Sequence, residues 1–220
     1  MTDPTAVGAT RYAGSRISRV EDPRLLTGRG TYVDDIVLPG MLHAAFVRSP
    51  YARAAIRSID TSAARDLPGV RFVFTGADLN PGVKGQWHAT TPPGSPETPT
   101  PPLAEVEARF VGDPVALVVA ESRYIAEDAV DMVEVDFDPL PAVVDYTTAE
   151  QNGDLVHEAH GSNLIAEGGG LPPAALEEVF ASAAHVSSAT IYQQAYCAVP
   201  MEGRGLVFDS SRITGEVTIY

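Results

Sequence analysis

Two histidines with a glutamate between them are the residues whose types and spacing come closest to a metal site. His157 and His160 are three residues apart, a spacing that places two ligands together on a helix. Gly161 and Asn163 favour a loop here instead, and no further His or Cys lies close by. The residues therefore favour a structural pair of histidines, with Glu158 on the same loop, over a metal centre.

Cys197 is the only cysteine of the chain. A single cysteine excludes an internal disulfide and a cysteine-based metal site. The sequence also contains no recognisable pairing of a nucleophile with a base, so nucleophilic catalysis is not indicated. A cysteine without such a role packs as a small apolar side chain, and we expect Cys197 to be buried.

The glycines do not indicate phosphate binding. Gly28 and Gly30 form a lone G-x-G motif with no strand before it, which predicts a turn. The surrounding segment Val20–Ile36 lacks helical and strand periodicity and is expected to be an ordered arm lying on another surface. His43, inside the predicted strand Met41–Ser49, is expected to be structural.

A proline-rich stretch interrupts the chain. Half the residues of Thr91–Pro102 are proline, which excludes a helix or a central strand and predicts an extended surface loop. Trp87 and His88 lie on its approach, where they either contact a ligand or anchor the base of the loop.

The segment Val111–Asp138 is the part around which the other elements are organised. Val115–Ala120 is an unbroken apolar run, as in a strand buried on both faces. Ser122 occupies the N-cap position of an amphipathic helix, and the alternation in Val133–Phe137 predicts a strand with one exposed face. The other elements predicted in this half are the strands Met41–Ser49, Ala55–Ile59, Val70–Phe74 and Ala142–Val144, and the short helix Thr61–Asp66.

The segment Glu167–Pro173, with three glycines and two prolines, predicts a linker. The elements predicted after it are the helix Ala174–Ala184 and the strands His185–Gln194, Gly205–Asp209 and Glu216–Tyr220, of which the last two form a hairpin. So few elements bury too little apolar surface for a core of their own, and we expect the second domain to be incomplete.

The chain carries a net charge of −14, distributed unevenly. Residues 1–60 hold eight Arg and six acids, whereas residues 61–220 hold seven basic and 23 acidic residues. An acidic surface disfavours nucleic acid and anionic membranes as partners. No apolar run approaches the roughly 18–20 residues of a membrane span, and no signal core is visible. A cytoplasmic location is expected.

Several long segments together resemble one family, in the same order along the chain. They are Val20–Pro50, Ile56–Val70, Val73–Leu79, Arg109–Asp145, Gly161–Glu167 and Ala198–Asp209. The sequence resembles the N-terminal portion of the large, molybdenum-binding subunits of the xanthine dehydrogenase, aldehyde oxidase and aerobic carbon monoxide dehydrogenase family.

The resemblance implies an α+β fold, in which an α/β hammerhead domain precedes the first helix and strands of a molybdopterin-binding domain. The expected divisions are a flexible lead-in over 1–19, the hammerhead over 20–150, a linker over 151–173 and the truncated second domain over 174–220. In the family, the complete subunit binds a molybdenum–pterin cofactor and hydroxylates C–H bonds with oxygen from water, or oxidises carbon monoxide. Electrons leave through iron–sulfur and flavin subunits or domains.

The resemblance assigns no catalytic, cofactor-binding or metal-binding residue to this chain, because the family's residues for those roles belong to sequence beyond Tyr220. Glu202 and Arg204 match a family segment and are expected to be structural, although Gly203 stands where proline is common. The chain alone is expected to hold no cofactor and to be inactive without the rest of the large subunit. The alternative is a free-standing hammerhead module that binds partner subunits without catalysis.

Overall fold

The structure is a computed structural model that describes residues 17–84, 98, 100–166, 173–194, 196–197, 199–200 and 203–220. The predicted linker before Pro173, most of the proline-rich loop, Trp87, His88 and Glu202 lie outside these residues. The chain divides into two compact units, one running from 40 to 191 and the other formed by the chain before 40 and after 191.

The unit from 40 to 191 contains six strands and four α-helices within the described residues. The strands are β1 (His43–Arg48), β2 (Ala54–Asp60), β3 (Val70–Thr75), β4 (Glu107–Ala108), β5 (Pro114–Ala120) and β6 (Glu134–Pro139). The helices are α2 (Ser62–Asp66), α3 (Gly76–Leu79), α4 (Arg123–Asp131) and α5 (Pro173–Ser182), and α1 (Asp22–Leu26) belongs to the other unit. This mixture of helices with small antiparallel sheets confirms the predicted α+β class.

The strand β5 is the middle strand of the first sheet, whose order is β1-β5-β3 with both pairings antiparallel. Its residues Val115, Ala116, Val118 and Ala120 are fully buried. This confirms the strand predicted from the apolar run, because a strand with neighbours on both edges and a covered face needs little polar surface.

The helix α4 begins where the sequence predicts it. The Ser122 hydroxyl accepts a hydrogen bond from the Ile125 backbone N–H at 3.3 Å, as an N-cap residue does. Ala126 and Ala129 are buried on the helix face that packs on the first sheet. The next strand, β6, belongs to a second sheet of order β4-β2-β6, so this strand–helix–strand segment connects two sheets instead of forming one.

The core lies on one side of the first sheet, where α2 and α4 pack against it. Its buried members come from the three strands of the first sheet, from the two helices and from two positions between elements. They are Val47, Ala64, Val73, Ala104, Val115, Ala116, Val118, Ala129 and Val133. Partly buried residues of the second sheet, including Ile56, Ile59, Val135 and Phe137, pack against this cluster. Burial of small and β-branched side chains therefore joins the sheets to the helices.

Two of the strands predicted after residue 140 are wrong. Ala142–Val144 is not a strand, and Val144 is 81% exposed. Among the described residues, no strand pairs with the outer edge of β6, so this three-residue apolar run has no strand partner for its backbone hydrogen bonds. His185–Gln194 is likewise exposed and without regular structure. The predicted helix Ala174–Ala184 is confirmed as α5.

The other unit contains α1, a 3₁₀ turn at Val33–Asp35 and the antiparallel hairpin β7 (Phe208–Ser210) and β8 (Val217–Ile219). The hairpin confirms the sequence prediction. The sequence predicts no helix within Val20–Ile36. That prediction is wrong, because α1 forms there. Pro23 fits the first turn of α1, because the backbone N–H groups of a first turn have no acceptor within the helix. The Asp22 carboxylate interacts favourably with the positive end of the helix dipole. Among the described residues, no helix is long and apolar enough to cross a membrane.

Gly69 provides a test of the contact between the β3 turn and α4. Its φ is +91°, and a Cβ atom there would lie 2.7 Å from Ile125 Cδ1. We expect Gly69→Ala to lower the free energy of unfolding by about 1–2 kcal/mol because of the backbone conformation alone. Urea denaturation followed by far-UV circular dichroism measures this change.

The matched control is Gly153→Ala, because no atom lies within 4 Å of the added Cβ and Gly153 has no positive φ. An equal loss of stability in both variants would contradict the role given to the Gly69 conformation.

Candidate functional site

A cavity of about 160 Å³ lies beside the start of β5, and it is the candidate site within the unit from 40 to 191. Charged and titratable side chains contribute to its wall together with apolar ones. The lining residues are Thr100, Pro101, Ala104, Glu107, Arg109, Phe110, Asp113, Val156 and His157.

Glu107, on the short strand β4, lies between two arginines. Arg53 Nε donates a hydrogen bond to Glu107 Oε1 at 2.6 Å, and Arg109 Nη2 lies 3.8 Å from Glu107 Oε2. The Arg53 side chain is only 7% exposed. A buried guanidinium is tolerated when its donors are satisfied, and Arg53 also donates to Pro141 O at 3.4 Å and approaches Glu158 Oε1 at 3.6 Å.

Asp113 closes the turn that leads into β5. Its carboxylate accepts a hydrogen bond from the Arg109 backbone N–H at 2.9 Å, and its own carbonyl accepts one from the Ser49 N–H at 2.9 Å. Gly112 within this turn has a φ of +92°. Burial raises the pKa of Asp113, and the Arg109 N–H and charge oppose that rise. Asp113 therefore fixes the backbone that positions Arg109.

The predicted histidine pair separates into two roles. His157 faces the cavity, where burial lowers its pKa, assisted by the positive charge of Arg109 and opposed by Glu107. Arg109 Nε donates to Val156 O at 3.2 Å, which holds the histidine loop against the cavity. His160 Nε2 instead lies 2.9 Å from Leu164 O within its own loop. The described part of the chain contains no group of three His, Cys, Asp or Glu residues able to hold a metal ion.

Asn163 organises the loop that carries both histidines. Its side-chain oxygen accepts from the Val156 N–H at 2.9 Å, and its amide nitrogen donates to Ala149 O and Asp154 O at 2.9 and 2.8 Å. A 3₁₀ turn at Glu158–His160 follows. The loop predicted from the glycine and asparagine is therefore an ordered segment, held together by the side-chain amide of Asn163.

Three other sequence candidates that the structure describes, Cys197, Arg204 and His43, do not line the cavity. Cys197 is exposed, so the prediction of a buried role is wrong; the described residues nearest to it, 191–194, 196, 199 and 200, form no helix or strand that could bury it. Arg204 is also exposed and lies in the other unit. His43 is half-buried on β1, consistent with a structural residue.

Sequence reasoning did not single out Arg53, Glu107 or Asp113. Arg53 and Glu107 are 54 residues apart, and only the antiparallel pairing of β2 with β4 brings them together. The alternation of Glu107 and Arg109 around one residue, followed by a Gly-Asp-Pro turn, is the signal that points to a charged strand end.

The cavity does not fit a molybdenum–pterin cofactor. Ligand pockets for molecules of that size enclose about 300–1,000 Å³, and this cavity is smaller. Glu107 is already paired with both nearby arginines, so the wall offers no uncommitted cationic cluster for an anionic cofactor. The arrangement can hold a loop and a turn in place, and it contains no nucleophile with a base.

These features, namely two small antiparallel sheets joined by a capped helix, agree with a match to the family model for the aldehyde oxidase and xanthine dehydrogenase a/b hammerhead domain over residues 27–141. The chain belongs to this family.

Individual relatives are large subunits of oxidoreductases. The chain is 43% identical over 196 residues to the nicotine 6-hydroxylase large subunit of Paenarthrobacter nicotinovorans, covering 89% of this chain and 24% of that protein. It is 38% identical over 220 residues to the carbon monoxide dehydrogenase large chain of Afipia carboxidovorans, covering 94% and 27%. The chain therefore spans about a quarter of the length of these relatives.

Solved structures give the same grouping. The crystal structure of quinoline 2-oxidoreductase from Pseudomonas putida superposes with a TM-score of 0.79 at 39% identity, covering 92% of this chain and 26% of that one. The Cu,Mo-containing carbon monoxide dehydrogenase superposes with a TM-score of 0.61 at 38% identity, covering 78% and 23%.

Removal of Arg53 tests the buried ion pair. We expect Arg53→Leu to lower the free energy of unfolding by about 3 kcal/mol, because Glu107 loses its closest partner in a shielded position. Chemical denaturation measures the difference. In the control Arg57→Leu, the lost pair between Arg57 on β2 and Asp138 on β6 is exposed, and the expected loss is about 0–1 kcal/mol. Equal losses would contradict the importance of burial.

The lowered pKa of His157 predicts a pH dependence. The folded state binds fewer protons at this residue than the unfolded state, whose pKa is near 6.5. Its contribution to stability is therefore full above pH 6.5 and is lost as the pH falls through the lower pKa of the folded state.

Replacement by His157→Gln should flatten the fall in unfolding free energy measured by denaturation between about pH 7.5 and pH 5. The comparison variant His160→Gln retains the His157 ring and removes only the smallest of the causes that lower the pKa of His157, so most of the fall should persist. An unchanged slope in the His157 variant would contradict the prediction.

Proposed function

We propose that this chain is the N-terminal part of the large subunit of a molybdenum hydroxylase, an oxidoreductase whose cofactor-binding and catalytic portion is supplied by the rest of that subunit. The observation that carries the proposal is sequence similarity: nearly the whole chain aligns with about a quarter of the length of each of two large subunits. These relatives hydroxylate nicotine or oxidise carbon monoxide, as their names state.

The unit formed by residues before 40 and after 191 supports the same proposal. The residues of β7 and β8 are all exposed, including Phe208, Val217 and Ile219. A two-stranded hairpin is marginally stable alone, and three or more strands with an apolar face are needed for independent stability. Further polypeptide that pairs with or covers this hairpin satisfies that requirement, and the remainder of a large subunit is the source we propose.

The domain division follows from this proposal. The hammerhead occupies about 20–150 after a lead-in over 1–19, and a connecting segment over 151–173 leads to the beginning of the molybdopterin-binding domain at 174–220. The complete subunit holds the molybdopterin–molybdenum cofactor and passes electrons to iron–sulfur and flavin subunits or domains in the cytoplasm. That cofactor supplies the redox chemistry, and this chain supplies a scaffold.

A metal analysis tests the proposal. The purified 220-residue chain is expected to contain no stoichiometric molybdenum and to show no dye-linked dehydrogenase activity, because the described cavity fits neither the metal nor the pterin. Inductively coupled plasma mass spectrometry of the chain measures the metal. Co-expression with the remaining portion of a large subunit should give a complex that contains molybdenum.

Stoichiometric molybdenum in the chain alone would contradict the proposal. A stable chain that captures iron–sulfur or flavin subunits but never the remaining large-subunit portion would instead support the free-standing interaction module. The core of the unit from 40 to 191 is the observation that favours this second possibility.

A further inference from the structure

The first sheet is apolar on both of its faces. Its inner face packs on α2 and α4 through residues such as Val47, Val73 and Val118. Antiparallel sheets with one covered face commonly present polar residues on the other. In this sheet, the residues that alternate with the buried ones are apolar as well, except Arg48 at the end of β1, so most of the outer face has the composition of a second core.

The strand register arranges six outer residues in two rows. Phe46, Leu117 and Phe74 lie directly across the three strands in one row. Ala44, Val119 and Phe72 form the next row. We call these six residues the outer apolar face.

This face is accessible in the unit from 40 to 191. Phe46 is 42% exposed and Phe72 is 53% exposed, whereas Leu117 and Val119 on the central strand are partly buried. Phe72 stacks on Phe74 with a centroid separation of 5.7 Å, so the aromatic rings are held together before any partner binds. Arg48, on the same strand as Phe46, lies 5.3 Å from the centre of the Phe46 ring.

An ordered, aromatic and contiguous apolar patch marks a contact surface, because soluble proteins do not commonly leave such patches uncovered. Aromatic residues that are already ordered bind at low entropic cost, and they dominate the binding energy of interfaces together with Arg. The outer apolar face has three phenylalanines, and Arg48 lies beside it over the Phe46 ring.

We infer that the outer apolar face is the surface on which the remaining portion of the large subunit docks. This inference rests on the proposed function. The face contains no polar side chain among its six members, which is the composition of permanent interfaces, whereas contacts between redox partners are small. A piece of the same subunit is a permanent partner, and relatives about four times as long as this chain provide one.

The test is an affinity capture with the part of the A. carboxidovorans carbon monoxide dehydrogenase large chain that lies outside its aligned segment, co-expressed with this chain. The wild-type chain should retain that portion. Phe72→Arg and Phe46→Arg should each weaken retention by about tenfold or more, because either places a charge within the apolar face. Circular dichroism melting of each isolated variant shows whether it remains folded.

The matched control is Tyr124→Arg, which changes an aromatic residue on α4 that is 79% exposed and lies on the other side of the sheet. It should retain the portion as the wild type does. If the two Phe variants, still folded, also retain it, the docking surface is wrong while the proposed function stands. If the wild type fails to retain it, the proposed function fails as well.

A second arm replaces the large-subunit portion by iron–sulfur and flavin subunits of a molybdenum hydroxylase. Their binding should be unchanged in Phe72→Arg. A loss of their binding together with unchanged binding of the large-subunit portion would assign the face to the redox partners and overturn the inference.

Discussion

The pairing of β5 with both β1 and β3 is the interaction on which the rest of the unit from 40 to 191 depends. All the hydrogen bonds that join the first sheet involve this strand, since β1 and β3 are not neighbours. The residues Val118 and Ala116 fill the core side, and Leu117 and Val119 lie on the other side. A strand with apolar residues on both faces requires two covering layers, and the helices α2 and α4 provide one of them.

The charged cluster lies beside the start of β5 in the same unit. Glu107 holds Arg53 and Arg109, and Arg109 in turn holds the backbone at Val156. These contacts join the second sheet to the histidine loop, and the turn closed by Asp113 leads directly into β5. The cavity is thus enclosed by groups whose first role is to satisfy one another, as buried charges require.

The local residue pattern was sufficient to predict those elements that depend on interactions between residues close together in sequence. The β5 run, the Ser122 cap and the final hairpin follow from neighbouring residues, and all three are present. Pattern failed at Ala142–Val144 and His185–Gln194, because a strand also needs a partner edge that local sequence does not reveal. Arg53 and Glu107 were missed for the related reason that the register of β2 against β4 brings them together.

The candidate site was less accessible to sequence reasoning than the fold. The two histidines drew attention through their spacing, yet only His157 faces the cavity, because the amide of Asn163 decides how the loop closes. The exposure of Cys197 was not foreseen either, since burial depends on neighbours distant in sequence. Family resemblance, carried by several long segments, identified the scaffold that single residues could not.

The order β1-β5-β3 also has a consequence for the time at which the protein can fold. The two outer strands end at Arg48 and Thr75, but their shared partner begins only at Pro114. At a synthesis rate of about 5–20 residues per second, several seconds pass between the synthesis of β1 and β3 and that of β5. During this time β1 and β3 have unpaired edges and exposed phenylalanines. Contacts this distant in sequence form slowly. The late arrival of one strand therefore makes the nascent chain most susceptible to aggregation before its central strand has been made.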